Sequence, residues 1–408
     1  MLNRSSILDD VPFDLTTISQ ARLNIEGKSR SNLFPWNGQF SPELVQTFLE
    51  TYASNGDFIA DCFVGSGTVL VEAGNFGLQA FGAEINPAAF KMAQTYAFIN
   101  LNQLARRTTI DTVDELLFRN FDGHSLFSNS DNDQSTDIRA RMVEVWLGAN
   151  DAKCRSLIET MIVLLDFYKV GLTAEKVLST WQKLRRRVEG LPYSEAKIDL
   201  ANCDARHLPL TSQSVDLVVT SPPYINVFNY HQQYRASVEA MGWDLLHVAR
   251  SEMGSNRKNR ANRFLTVIQY CLDITQALGE LRRICSPSAR IIFVVGRESN
   301  VRKTAFFNGD IVAQLGVRCA SLRTECRQER VFTNRFGTRI YEDIIHFRPG
   351  DGHTSEPPSR VAEEILCAAL ARSPEESQLD LRDAIARVSD IVPSPLYQPS
   401  HADIRMTV

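Results

Sequence analysis

Apolar residues fall along this chain in two rhythms. Short apolar blocks close on a polar residue: Phe58-Ile59-Ala60 ends at Asp61 and Ala80–Ala83 ends at Glu84. Lys197–Leu200, Val215–Thr220 and Ala289–Val295 have a similar form. Their length and flanks predict buried strands. Between them run longer segments with helical spacing. Ser41-Pro42-Glu43 opens one: Ser41 is expected to cap it, Pro42 suits its first position, and Glu43 suits its positive end. Another is expected from Thr68 to about Phe76, a third from Pro87, and a fourth over Leu265–Ile284.

The rhythm changes twice. From 101 to 195 no strand pattern is visible; a polar stretch, Ser128–Ser135, precedes helical patterns around Met142–Trp146, Leu157–Tyr168 and Ala174–Val188. After Pro349 the chain is polar and proline-rich, then helical over Arg360–Ala371 and Leu379–Val388. The expected organisation is an N-terminal arm (1–31), a catalytic unit in two pieces (32–100 and 196–348), a helical insertion (101–195) and a C-terminal helical tail (349–408). Strands alternating with helices predict an α/β fold, a mostly parallel sheet covered on both faces, with ligands at the carboxyl ends of the strands.

Composition narrows the class. The 408 residues are 44% hydrophobic and 23% charged, as in a soluble globular protein. A net charge of −4 means that any nucleic-acid contact must come from local basic patches. No run of about 18 apolar residues predicts a membrane span, and MLNRSSILDDVPFDL lacks the apolar core of a secretion signal. Eight cysteines without a Cys-x-x-Cys pair read as reduced, mostly buried thiols of a cytoplasmic protein. No metal site is expected.

Asp61-Cys62-Phe63-Val64-Gly65-Ser66-Gly67-Thr68 joins the first strand to its helix. Gly65 and Gly67 allow a tight turn and close approach of a ligand to the backbone. About twenty residues on, Glu84 can accept hydrogen bonds from ribose hydroxyls. Leu70 stands where a dinucleotide fingerprint needs its third glycine, and the loop has no lysine for phosphates. A nucleoside without phosphate fits better, and S-adenosylmethionine is such a ligand. Asp204, after the strand Lys197–Leu200, is placed to bond an adenine amino group.

Ser221-Pro222-Pro223-Tyr224 follows the strand Val215–Thr220. At about 5% proline, one Pro-Pro pair is expected by chance in a chain this long, and Pro357-Pro358 supplies such a pair. The signal is the combination of buried strand, polar residue, two prolines and an aromatic. An exocyclic base amine is a poor nucleophile because its lone pair is delocalised into the ring. Hydrogen bonds from the amine to Ser221 Oγ and the Pro222 carbonyl would make the nitrogen more tetrahedral and aim its lone pair. The two prolines hold those acceptors rigid, and Tyr224 can stack on a base rotated out of a duplex.

Together these segments resemble the amino-methyltransferase family of DNA methylases. Asp61–Thr68 is similar to its cofactor motif Asp-Pro-Phe-x-Gly-Ser-Gly-Thr, with Cys62 at the proline. Gln39-Phe40-Ser41-Pro42 resembles the segment upstream that helps hold the methionine moiety. Ser221–Tyr224 is similar to the catalytic loop in the form most frequent among cytosine-N4 enzymes. The resemblance implies a Rossmann-like S-adenosylmethionine-dependent methyltransferase fold with a C-terminal antiparallel hairpin that includes Ile340–Phe347. It implies a cofactor site formed by Phe40, Ser41, Pro42, Asp61, Phe63, Gly65, Ser66, Gly67, Thr68, Glu84 and Asp204. It also implies double-stranded DNA as substrate, with cytosine N4 first and adenine N6 as the alternative. An RNA or protein-amide methyltransferase, or a silent DNA-binding subunit of a defence complex, shares the same machinery. The expected setting is a bacterial or archaeal cytoplasm, nucleoid-associated, with a cognate restriction nuclease or defence complex as partner. Two features depart from the common pattern: the cofactor motif precedes the catalytic motif, and the insertion, a candidate for DNA recognition or assembly, separates Glu84 from Asp204.

Arg250, Arg257, Lys258, Arg260 and Arg263 crowd a segment opposed only by Glu252 and are expected to meet DNA phosphates. A second basic run, Lys183–Arg187, closes a helix of the insertion, where cations are ordinary. Tyr230, His231 and Tyr234 are candidates for lining the base pocket. A C5-type attack would need a Pro-Cys nucleophile loop, which is absent.

Overall fold

The computed structural model describes residues 7–121, 131–225, 230–254, 261–334, 337–352 and 356–399. Its strands are β1 (Phe58–Asp61), β2 (Gln79–Ala83), β3 (Ile198–Ala201), β4 (Val215–Thr220), β5 (Cys285–Gly296), β6 (Glu298–Val301), β7 (Thr304–Phe307), β8 (Leu322–Thr333) and β9 (Arg339–Pro349). Seven of them form one sheet in the order β3-β2-β1-β4-β5-β9-β8, and β6 and β7 form a separate hairpin. β1 to β5 pair in parallel, and β9 runs antiparallel to both β5 and β8. The chain moves outward from β1 to β3 and then returns across β1 to β4. This reversal opens a crevice between the carboxyl ends of β1 and β4, the usual ligand position in such sheets.

Both faces of the sheet are buried, so its strands read as continuous apolar blocks. Side chains alternate between faces: Ile292 and Val294 belong to one core, Ile291, Phe293 and Val295 to the other. The first core continues into the helices of 101–195, through Val113, Leu157, Ile162 and Trp181. The inserted helices therefore form a layer on the sheet. Inside that layer, Lys91 and Glu159 are fully buried and paired at 2.7 Å, and Trp146 Nε1 donates to the same carboxylate at 3.1 Å. The Arg106 guanidinium gathers the carbonyls of Phe98, Val188 and Leu191, closing the insertion on itself.

The second core takes the helix Phe264–Ile284, the helix Asn308–Cys319 and the tail helices Pro358–Leu370 and Glu375–Ala386. The arm runs to the far edge of the sheet, where Phe13 bridges Arg327 and the Asp14 amide donates to the Arg327 carbonyl at 2.8 Å. An otherwise open strand edge is thereby covered.

Several elements differ from the sequence reading. The helix Gln103–Phe121 was not expected, because its apolar stripe is thin and interrupted by threonines. The helix Asp131–Gly148 begins within the polar stretch, whose first residues, 128–130, lie outside the described set. The helix Ala152–Leu165 stops before Tyr168, because Asp166 turns left-handed (φ 53°). β8 carries Arg323, Glu325, Arg327, Glu329 and Arg330; its charges hide the strand and are matched by ion pairs such as Arg348–Glu325 and Arg330–Glu342. The helix Pro42–Tyr52 begins where expected, but Ser41 Oγ does not cap it. That hydroxyl donates to Glu43 Oε2 at 2.6 Å, while Glu43 Oε1 accepts the amides of Ser29 and Arg30. The arm's need for acceptors has drawn the carboxylate, and the serine, away from the helix end.

Candidate functional site

β1 delivers Asp61 to its carboxyl end, fully enclosed. The carboxyl accepts the Phe63 amide at 3.0 Å and the Thr220 hydroxyl at 2.6 Å. Burial pushes its pKa up to about 7 against these hydrogen bonds. The loop then turns through Gly65 (φ 53°) and Gly67 (φ 94°) into the helix Thr68–Asn75. Gly67 is required twice over: its φ is left-handed, and a Cβ there would lie 2.5 Å from Tyr96 Cδ2.

β2 brings Glu84 beside this turn. Its Oε2 accepts the Gly65 amide at 2.9 Å and its Oε1 the Asn86 amide at 2.8 Å. A carboxylate offers about four acceptor positions, so among the described residues Glu84 retains capacity for further donors. Burial pushes its pKa up to about 7, with Asp61 and Glu252 adding like-charge repulsion. On the upstream side, Asn32 Nδ2 donates to the Phe40 carbonyl (2.6 Å) and to Thr68 Oγ1 (2.9 Å), and Ser66 Oγ donates to Gln39 Oε1 (2.6 Å). These bonds dock the segment Gln39-Phe40 against the glycine loop, although the two are far apart in the chain.

β4 delivers the other half. Ser221, Pro223 and Tyr224 open into the same cavity as Phe40, Phe63, Gly65, Thr68 and Glu84. Ser221 Oγ lies 3.3 Å from the Tyr224 hydroxyl, and burial raises the Tyr224 pKa, so the phenol stays a donor. Tyr224 packs on Gly296 of β5, where a Cβ would approach its ring to 2.9 Å. Tyr230, His231, Cys203, Asp204 and Arg263 also line it. His231 Nδ1 is 2.8 Å from Glu252 Oε2.

Other candidate residues stand behind this surface. Asp61, Ser66, Gly67 and Pro222 shape the two loops without lining the cavity, Ser41 turns to Glu43, and Pro42 faces a separate cleft. Asp204 lines the cavity, but its carboxylate is occupied: Oδ1 accepts the Arg206 amide and Nε, and Oδ2 accepts Arg206 Nη2 and the Tyr397 amide. Arg250 is exposed at the end of the helix Leu245–Ser251 and stands off the cavity. Arg257, Lys258 and Arg260 lie outside the described residues. In the second basic run Arg185 is paired with Asp114 and Glu189, and Arg187 stacks over the Phe34 ring.

Sequence reasoning missed Trp36 and Glu252. Trp36 lies between Tyr230 and Tyr234, with ring centroids 6.0 and 6.5 Å away, and forms one wall of the cavity. The only signal was an aromatic followed by Asn37-Gly38 just after the polar arm. Burial raises the Cys62 thiol and pushes Cys203 up to about 12, so neither is a ready nucleophile. No group of three or more His, Cys, Asp or Glu among the described residues could hold a metal, and no described helix is long and apolar enough to cross a membrane.

Residues 13–95 match the sequence profile of a family described as DNA methylase. The chain is 36% identical over 78 residues to the Type II methyltransferase M.MjaII of Methanocaldococcus jannaschii, a match covering 19% of this chain and 14% of that protein. It is 24% identical over 277 residues to the Type II methyltransferase M.BsoBI of Geobacillus stearothermophilus, covering 54% of each. The chain thus spans about half, or less, of the curated relatives it matches. Among solved structures, a SAM-dependent methyltransferase from Methanosarcina mazei is similar at 12% identity and a TM-score of 0.36, over 74% of this chain and 97% of that one. The rRNA methyltransferase aviRa from Streptomyces viridochromogenes is similar at 12% identity and a TM-score of 0.32, over 83% and 94%. Residues 13–95, which hold the glycine loop and Glu84, are thus similar to DNA methylases, and they lie in an α/β fold built on a mostly parallel sheet.

Proposed function

We propose that this chain is an S-adenosylmethionine-dependent DNA methyltransferase that modifies the exocyclic amine of a flipped base, cytosine N4 before adenine N6. The observation that carries the reading is that the glycine loop of β1 and the Ser221–Tyr224 loop of β4 open into one cavity at the switch point of the sheet. The lining fits a nucleoside cofactor. Gly65 and Glu84 offer close backbone approach and a carboxylate with acceptor capacity for ribose hydroxyls, and the loop has no lysine for phosphates.

When bound, S-adenosylmethionine supplies an activated methyl on a sulfonium. The chain's own work is orientation. Ser221 Oγ accepts an amino hydrogen, the Pro222-Pro223 pair holds that acceptor rigid, and the protonated Tyr224 phenol is placed to donate to Ser221 Oγ and hold it. Tyr224 and the nearby Tyr230 offer aromatic faces to the base. Such positioning contributes through proximity, with little covalent chemistry asked of the protein. Arg263 at the cavity, Arg250 and the basic residues between them would meet phosphates of duplex DNA.

Incubation with unmethylated bacterial DNA and S-adenosylmethionine carrying a tritiated methyl, followed by nucleoside analysis, tests the reading. Label in N4-methylcytosine that is lost in Ser221→Ala is the expected result. Label in N6-methyladenine keeps the mechanism and overturns the base. Label only in RNA or protein overturns the substrate. Reversing Arg257 and Arg260 to Glu should weaken DNA binding and flatten its salt dependence; unchanged binding removes that segment from the interface.

A further inference from the structure

The segment after the tail helices, residues 391–399, has no regular secondary structure. Two of its side chains, Ser394 and Tyr397, are nevertheless only 4% exposed. What buries them is a polar hub centred on Arg206, itself enclosed between Asp204 and Asp273. Two carboxylates against one guanidinium leave surplus negative charge in a dry site, and burial pushes the Asp273 carboxyl up.

The chain terminus supplies what the hub lacks. Ser394 donates its amide and its hydroxyl to the two oxygens of Asp273, each at 2.7 Å. The carbonyls of Ser394 and Pro395 accept Arg206 Nη1 and Nη2 at 2.7 and 2.8 Å. The Tyr397 amide donates to Asp204 at 2.9 Å, and its hydroxyl donates to Asn202 Oδ1 at 2.7 Å. Asn202 Nδ2 then donates to the Glu84 carbonyl at 2.7 Å. Asn202 and Asp204 flank Cys203, and Cys203, Asp204 and Glu84 all line the cavity. A strap serving only as a cover would pack apolar side chains on the outside of a helix. This one places its hydrogen bonds on the residues that form and support the cavity wall.

We propose that residues 391–398 are a positioning strap for the nucleoside end of the cavity, so that affinity for S-adenosylmethionine is set by the C-terminal segment. This rests on the reading of the cavity given under Proposed function. Asp204, with its acceptors saturated, acts here as an anchor of the loop 202–206, and the strap holds that loop and the carbonyl of Glu84 in place. Loss of the Tyr397 side chain removes the bond to Asn202 and the ring that anchors the strap, so the backbone amide of residue 397 is no longer held against Asp204.

The test uses the full-length protein and direct calorimetric binding of S-adenosylhomocysteine. Tyr397→Ala should weaken binding about tenfold, the scale of one to two lost buried hydrogen bonds, and Ser394→Ala somewhat less. Tyr397→Phe keeps the ring and the backbone amide and should weaken it by only about threefold. In steady state the KM for S-adenosylmethionine should rise in the same order, while kcat at saturating cofactor and the KM for DNA change by less than about twofold. Val113→Ala, in the insertion core, controls for general loss of stability. Parent-like affinity in a folded Tyr397→Ala protein overturns the proposal. So does a loss that merely tracks the fall in melting temperature as it does in Val113→Ala. If the unaltered protein binds no S-adenosylhomocysteine, the functional reading falls, and the strap's role with it.

Discussion

The hydroxyl of Thr220 donates to Asp61 Oδ1 at 2.6 Å, joining the carboxyl ends of β4 and β1 across 159 residues of sequence. Each residue is the last of its strand and immediately precedes, or opens, one of the two functional loops. The bond therefore fixes the register of the cofactor loop against the Ser221–Tyr224 loop. Thr220→Val keeps the shape and removes the donor, leaving a buried carboxyl short of one partner. It should cost about 1–3 kcal/mol in urea unfolding and weaken S-adenosylhomocysteine binding. Thr220→Ser should restore most of both. Full stability in Thr220→Val would mean that the bond contributes no constraint.

Asp61 and Glu84 are both pushed up to about 7 by burial, from ordinary values of 3.8 and 4.5. Between about pH 4 and 7 the folded protein therefore holds protons that the unfolded chain has released. By linkage, stability falls as pH rises through that window and levels off above it. Asp61→Asn cannot ionise and should flatten the slope of unfolding free energy between pH 4.5 and 7. A ligand whose hydroxyls donate to Glu84 favours its charged form. Binding near pH 6.5 should then release protons, seen as a dependence of the calorimetric heat on the ionisation enthalpy of the buffer. A heat independent of buffer would place Glu84 outside the binding equilibrium.

Much of this site was legible in the sequence because its parts are local. Asp61, Gly65, Gly67, Glu84 and Ser221 each sit at the end of an apolar block, and block ends in a parallel sheet converge. The rest depended on contacts between distant segments. Asp204 follows a strand as an adenine ligand should, yet Arg206 two residues on and Tyr397 near the C-terminus take up its oxygens, and no spacing rule announces that. β8 was hidden because its charges are matched by an arginine and a carboxylate on β9. Trp36 gains its place only through Tyr230 and Tyr234.

Gly65 and Gly67 of the glycine loop should respond differently to alanine. At Gly67 a left-handed φ of 94° combines with a Cβ contact of 2.5 Å to Tyr96, itself buried and unable to swing out. Strain and overpacking of about 1–3 kcal/mol each should add, and Gly67→Ala should lower the melting temperature by well over 5 °C. At Gly65 the φ is 53° and the nearest atom is Trp36 Cδ1 at 3.3 Å. Gly65→Ala should cost only about 1 kcal/mol in stability while losing ligand affinity, because its methyl presses on the Trp36 wall of the cavity. Thermal unfolding and S-adenosylhomocysteine titration separate the two effects; equal destabilisation by both would refute the packing argument.

Gly296 offers a way to disturb the Ser221–Tyr224 loop from behind. A methyl at this position would lie 2.9 Å from Tyr224 Cε2, too close for the ring to keep its place. Gly296 stands on β5 and does not line the cavity, and the glycine loop, Glu84 and the Asn202–Asp204 wall are built from other strands. Gly296→Ala should therefore leave S-adenosylhomocysteine affinity within about twofold of the parent, while methyl transfer falls by about tenfold or more. A displaced base platform and a loosened Ser221 both act on the orientation of the amine, where a misplacement of about 1 Å can cost about a hundredfold. Gly296→Ala combined with Tyr224→Phe should be no better, because the clash is with the ring and not the hydroxyl. Combined with Tyr224→Leu, the smaller side chain relieves the clash, and stability should recover without activity. If Gly296→Ala methylates DNA at the parent rate, Tyr224 is not the platform on which the base is held.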